Sequence, residues 1–367
     1  MRFRYSKDEN GRTQKKAVVY TQDEHKVNLS DVDADAVYIC SRLRSEGYET
    51  YIVGGAVRDL MLGKKPKDFD IASVANPTQI KKIFRNSRVI GRRFRLVHVF
   101  FGSKIYELAT FRSLKDGANS NTFGTIEDDV LRRDFSLNAL FYDPEQELVI
   151  DYIGGVDDIR KRIIHPVIPL DTIFKDDPVR MIRAVKYAAM TSFEIPPKLK
   201  NRIKADSQLL ETVSPSRLTE EIVKIINASC PAKIVKSLDS YGLYQYLQPN
   251  ASRIMAKNEK FKNNYMKSLE DLAVKDNEKN SALWALIVDY VESITDWNGA
   301  MPDLYRKTFF AARKFVMPMS PRRLELGKAI RQIFSDHGIV VKKIRPLRIR
   351  GRDIKIYEDD QQFDIDF

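Results

Sequence analysis

Apolar residues along this chain follow two rhythms. Up to about residue 155 they fall in short alternating or continuous runs, Ile52-Val53, Ile71-Ala72, Leu96 to Phe101 and Ile105 to Phe111, broken by Gly, Asn and Ser. That is the pattern of strands joined by turns. Beyond Asp151-Tyr152-Ile153-Gly154-Gly155 the period lengthens to that of helices. The spacing predicts a helix over Val32, Ala36, Ile39, Cys40 and Leu43, capped by Ser30 or Asp31 and ended by Gly47. Asn76-Pro77 opens a second, with Asn as cap and Pro in the first turn. A third is expected through Asp128–Leu140, turning Val130, Leu131, Phe135, Leu137 and Leu140 inward. A longer one starts at Asp176-Asp177-Pro178 and buries Val179, Ile182 and Val185, and another starts at Ser214 to Ser216. Residues 1–28 are polar and read as a flexible basic arm.

One stretch, Tyr51 to Asp70, joins these elements into chemistry. Ile52 and Val53 run into Gly54-Gly55, a short helical segment follows to Leu62, and Gly63 stops it. Paired glycines let a backbone approach an anion, a helix start aims N–H groups at it, and Arg58 adds a planar charge. Asp68 and Asp70 follow, two apart on a strand, so both carboxylates would share a face while Phe69 packs behind. Alone, a Gly-Gly is usually a turn and an Asp-x-Asp a solvated edge. In this order and separation they describe a triphosphate cradle beside a carboxylate pair for Mg²⁺ or Mn²⁺, two ions of which clamp attacking and leaving oxygens. Glu107 is an acid on an otherwise apolar strand and would be a third carboxylate if that strand lies beside Asp68–Asp70; otherwise it is an exposed edge residue. His98 sits in an apolar alternation and reads as a packed strand histidine.

Composition narrows the setting. The chain has 367 residues, 43% hydrophobic, which is enough for two or three domains. No apolar run reaches 18 residues and the start lacks an apolar leader, so neither a membrane span nor secretion is expected. Two distant cysteines, Cys40 and Cys230, fit a reduced cytoplasmic protein and exclude a disulfide framework. A formal charge of +12 favours a polyanionic partner. Arg92, Arg93 and Arg95 crowd the mouth of a strand, where they form either a basic turn or a contact to phosphates or primer RNA. Lys342 to Arg352 is basic with interleaved aliphatics, and an acidic tail follows.

GGAVRDLMLGKKPKDFD, at 54–70, resembles the nucleotidyltransferase signature of the polymerase-beta-like superfamily, in the form carried by bacterial poly(A) polymerases and tRNA CCA-adding enzymes. VIGRRFRLVHV and the prelude VVYTQDEH resemble the poly(A) polymerases in particular. RRDFSLNAL resembles a second motif, RRDFTxNAL, with Ser136 in place of the usual Thr. That resemblance implies Arg133 at the nucleotide, Asp134 beside the metal or ribose, and Asn138 near the sugar. DDPVRMIRAVKYA resembles the base-selecting EDxxRxxRxxRF, with Asp176 and Lys186 replacing Glu and Arg. Asp177, Arg180 and Arg183 recur every three residues. Such a pair is usually a surface ion pair. Yet a carboxylate that accepts from an exocyclic amine, beside a guanidinium that donates to the ring, would admit adenine or cytosine and reject guanine and uracil. Arg217 with Glu221 reads as a brace for that helix.

The resemblance covers roughly residues 18 to 230. It implies an α+β fold: a nucleotidyltransferase head of mixed sheet plus helices (29–155), an all-helical base-selecting neck (156–230), a helical RNA-binding body (231–340), and a basic then acidic tail (341–367). It implies transfer of AMP from ATP to an RNA 3′ end without a template, in a cytoplasmic monomer. Catalysis falls to Asp68 and Asp70 with two Mg²⁺ or Mn²⁺ ions, completed by Glu107 or Asp134. Gly55, Arg58, Arg133, Asn138, Asp177, Arg180 and Arg183 would bind the nucleotide, and Arg92, Arg93 and Arg95 the RNA, an mRNA, small RNA or tRNA. CCA addition to tRNA is the near alternative, and a non-catalytic RNA-binding protein the distant one.

Overall fold

The computed structural model describes residues 2–7, 13–91, 96–113, 122–274, 282–301, 303–341, 347–349 and 352–354. Arg92, Arg93 and Arg95, most of the loop at 113–124, much of the basic stretch at 342–352 and the acidic tail lie outside them.

Nine strands make one sheet: β1 (Arg2–Lys7), β2 (Thr13–Tyr20), β3 (Thr50–Val53), β4 (Asp70–Ser73), β5 (Ser87–Ile90), β6 (Leu96–Phe101), β7 (Lys104–Thr110), β8 (Leu140–Asp143) and β9 (Leu148–Asp151). Their order is β1-β2-β9-β8-β3-β4-β7-β6-β5. β4 and β7 run parallel, while the other described neighbours are antiparallel.

The N-terminal arm is corrected by this sheet, since Val18, Val19 and Tyr20 pair with Asp151, Ile150 and Val149. Only Ala17, Val19 and Tyr20 of β2 are buried, while its first half, TQKK, is exposed. A strand solvated along half its length carries too little apolar alternation to be seen in sequence.

In the head, α1 (Gln22–His25) and α2 (Ala34–Ser45) precede β3, and α3 (Gly55–Met61) and α4 (Pro77–Ile83) flank β4. Asp33, rather than Ser30 or Asp31, caps α2 through its bond from Asp35 N. Asn76 caps α4 as expected, in a capping box with Gln79. The helix expected through 128–140 is instead α5 (Ile126–Leu131), then a 3₁₀ turn (Ser136–Asn138), then β8. Leu131, expected inside, is 52% exposed. Ile126 and Val130 of α5 pack with Tyr51, Val53, Ala72, Phe141 and Ile150 on one sheet face. Alternation along β4 puts Asp70 on that face with Ala72.

Helices follow: α6 (Gly155–Lys161), α7 (Ile173–Asp176), α8 (Val179–Thr191), α9 (Pro197–Asp206), α10 (Pro215–Ile226), α11 (Pro231–Ser240) and α12 (Tyr244–Leu247). Two compact units result, one of residues 1–217 and 233–246, the other of 218–232 and 247–367. The segment 233–246 thus belongs to the first unit and 218–232 to the second. The second unit adds α13 (Pro249–Met255), α14 (Glu259–Val274), α15 (Trp284–Ile294), α16 (Asp303–Phe315) and α17 (Arg323–Asp336). It is knit by aromatic pairs such as Tyr290 stacked on Phe315 at 4.0 Å. A short pair, β10 (Leu347–Ile349) and β11 (Arg352–Ile354), forms a separate ladder. Among the described residues no helix is long and apolar enough to cross a membrane.

Candidate active site

β3 ends in Gly54, whose φ of 70° and ψ of −132° suit glycine alone. A Cβ placed there would lie 3.7 Å from Arg133 Nη1 and 3.9 Å from Asp70 Oδ2. The glycine turn, one carboxylate and one guanidinium therefore converge. Asp70 opens β4 and is exposed; Asp68 precedes the strand and is also exposed, and Phe69 between them is half-buried rather than packed in the core. The parallel ladder registers Asp70 directly with Glu107 of β7. Glu107 in turn registers with His98 of β6, whose Nε2 lies 3.8 Å from Glu107 Oε2. Val97 and Val99 take the buried positions of β6, so His98 shares the face of Asp70 and Glu107 and is not packed as its apolar setting led one to expect.

Among the described residues no group of three or more His, Cys, Asp and Glu side chains is gathered closely enough to hold a metal ion. The donors that are side by side, Asp70 and Glu107, are hard carboxylate oxygens. Mg²⁺ is commonly held by one or two protein carboxylates with substrate phosphates and water completing its octahedron, so this pair suits Mg²⁺ or Mn²⁺. Arg112, which the sequence did not single out, feels Arg132, Asp129 and Glu107; burial first, and then Arg132, push its guanidinium below its usual pKa.

Arg133 is fixed before any ligand arrives. Its Nε and Nη2 donate to Asp129 Oδ2 at 3.2 and 2.8 Å, and its Nη1 donates to the Asn138 carbonyl at 2.8 Å. Asp129 also accepts from Arg132 Nε at 2.8 Å. Burial opposes ionisation of Asp129, but the two arginines outweigh it and hold the carboxyl below its usual pKa. Arg58 is turned inward, 5% exposed, donating from Nη1 to Asn138 Oδ1 at 2.8 Å and from Nε to Asp59 Oδ1 at 2.9 Å. Asn138 Nδ2 reaches Asp134 Oδ1 at 3.4 Å, and Asp134 Oδ2 lies 2.9 Å from Arg183 Nε. The break between α5 and β8 makes this possible: a continuous helix would not have brought Asn138 back beneath Arg58 and Arg133.

Around the start of α8 the expected base-reading side chains have partners. Asp177 Oδ1 accepts from Val179 N at 3.2 Å, and Oδ2 accepts from Arg217 Nη2 at 2.8 Å. Arg217, expected to brace the helix through Glu221, holds Asp177 itself. Arg180 donates to the carbonyls of Ile173 and Arg132 at 3.2 and 3.5 Å. Burial lowers its pKa, against the pull of Asp177, Asp134 and Asp176.

The family model described as "Poly A polymerase head domain" matches residues 50–165, and "Probable RNA and SrmB- binding site of polymerase A" matches 192–255. The chain is 40% identical to Poly(A) polymerase I of Salmonella typhi over 65% of its own length and 55% of that protein. It is 34% identical to Poly(A) polymerase I of Escherichia coli O6:H1 over 87% of its length and 74% of that protein. The first of these relatives is therefore matched over only about half its length. The crystal structure of the Bacillus stearothermophilus CCA-adding enzyme in complex with CTP superposes with a TM-score of 0.57 at 26% identity, covering 85% of each chain.

Proposed function

From a chain that belongs to the class II nucleotidyltransferases, the family of poly(A) polymerases and CCA-adding enzymes, we propose an enzyme that adds AMP from ATP to RNA 3′ ends without a template. The convergence of Gly54, Asp70 and Arg133, with Glu107 in register beside Asp70, carries this reading. Asp70 and Glu107, with the substrate phosphates and with Asp68 two residues ahead, would hold the Mg²⁺ or Mn²⁺ ions, two in number, which would lower the pKa of the RNA 3′-hydroxyl and offset charge on the departing pyrophosphate. Arg133, immobilised by Asp129, presents a fixed guanidinium at the glycine turn, so no ordering cost falls on the triphosphate. Arg58 supports it indirectly by fixing Asn138, whose amide borders the sugar.

Asp177 and Arg180 select the base. Arg217 fixes Asp177 as a carboxylate that accepts from adenine N6, and Arg180 donates to the ring. A soluble, cytoplasmic enzyme acting on mRNA or small RNA fits this chemistry. CCA addition is the second reading, because the same acceptor and donor also fit cytosine and because the fold matches the CTP-bound CCA-adding enzyme.

The test supplies purified protein with ATP or CTP separately, on an unstructured RNA and on a tRNA lacking its 3′ end. Runs of AMP on the unstructured RNA are expected; efficient CTP incorporation into that tRNA would overturn the choice of product. Asp70→Asn should lower AMP incorporation about a thousandfold, the size of several kcal/mol of lost charge stabilisation, while RNA affinity stays. Unchanged incorporation would refute the catalytic site.

A further inference from the structure

We propose that Tyr187 is a positioning residue that couples the phosphate end of the nucleotide site to its base-reading end; the proposal rests on the nucleotide-site reading above. Tyr187 lies in α8, half-buried, four residues past Arg183, at the position of the Phe that ends the base-selecting motif. Three cations face its ring within cation–π reach: Lys186 Nζ at 5.3 Å, the Arg58 guanidinium at 5.4 Å and that of Arg183 at 5.8 Å. Its hydroxyl oxygen accepts from Arg183 Nη2 at 3.1 Å, and Phe135 meets it edge-on at 6.2 Å.

These contacts close a circuit. Arg58 of α3 bonds Asn138, Asn138 bonds Asp134, Asp134 pairs with Arg183 of α8, and Arg183 and Arg58 meet again on the Tyr187 ring. The Arg58–Asn138 and Asn138–Asp134 links are hydrogen bonds, and Asp134–Arg183 is an ion pair. The aromatic face brings together two guanidiniums that would otherwise repel across the gap. α3 begins at the glycine turn, and α8 carries Arg180 in its first turn just after Asp177, so the circuit spans both ends of the site. A ligand that orders one end fixes the shared ring and lowers the cost of ordering the other, which makes the two halves of ATP bind with positive coupling.

Adenosine binding by the full chain, measured by calorimetry with and without tripolyphosphate, reads that coupling. Tripolyphosphate should tighten adenosine about tenfold in the unsubstituted protein, within the usual range for coupled sites. In Tyr187→Leu the gain should fall below about twofold, and in Tyr187→Phe, which keeps the ring, most of it should remain. A side chain that merely packs would change melting but not this ratio. Should Tyr187→Leu not fold, Arg58→Lys replaces it, because an ammonium cannot hold Asn138 and lie on the ring together. Unchanged coupling in the variant measured, or no coupling in the unsubstituted protein, overturns the proposal alone. If that protein binds neither adenosine nor tripolyphosphate, the nucleotide site itself is wrong and the proposal falls with it.

Discussion

Asp129 is 2% exposed and serves two guanidiniums, one of which is the arginine at the glycine turn. Its carboxyl is held below the usual range, so the folded state gains stability from the ionised form. That contribution is complete above the ordinary carboxylate pKa of about 4 and is lost as pH falls through the depressed value. Thermal melting should accordingly weaken below about pH 4. Asp129→Asn should cost roughly 1.5–3 kcal/mol at pH 7 and flatten that part of the acid limb, as read by urea unfolding at both pH values. An acid limb identical in the variant would contradict it. In sequence this residue was hidden. Asp128-Asp129-Val130-Leu131-Arg132-Arg133 has the look of a solvated mixed-charge face, and the burial of Asp129 depends on Ile126 and Val130 docking onto the sheet. Arg133 was legible because its motif is short and contiguous. Arg112 stood in no such pattern, and Tyr187 closes the base-selecting motif without being one of its charged readers.

Elements were legible where local chemistry sets them. Asn76-Pro77 announces α4 by its own capping box, and the apolar stripe of α8 declares a buried helix. The segment 128–140 was not, because Val130, Leu131, Phe135, Leu137 and Leu140 satisfy a loose helical period. β8 exists only through pairing with β3 and β9. That pairing outweighs local preference. The same rearrangement makes Gly155 indispensable at the start of α6, since a Cβ there would collide with the Ser136 carbonyl oxygen. Asp151 anchors this start by accepting from the N–H groups of Ile153, Gly154, Gly155 and Val156. Gly155→Ala should destabilise by about 1–3 kcal/mol and lower the melting temperature by about 2–4 °C per kcal/mol in scanning calorimetry. It should also reduce incorporation, because the displaced Ser136 turn carries Asn138. A fully stable variant would show that the Ser136 turn yields freely.

For the molecule as a whole, the division into a sheet-bearing part and a helical part could be read from the change of period near residue 155, and the +12 charge pointed to a polyanion. The charge should be visible as salt dependence. Each phosphate neutralised on single-stranded RNA contributes about −0.7 to the slope of log K against log salt. With about five such contacts, affinity should drop roughly a hundredfold between 50 and 200 mM salt, measured by filter binding. A flat response would place RNA recognition in uncharged contacts.

The pairing of β2 with β9 has a consequence for how the protein is made. Val18 leaves the ribosome early, but its partner Asp151 emerges only after the whole catalytic segment. Until then β2, with Val18, Val19 and Tyr20 at its end, is an uncovered edge of the kind that recruits foreign strands. The lysines ahead of that apolar end, Lys15 and Lys16, are the sort of gatekeepers that keep such a nascent edge from sticking to its neighbours.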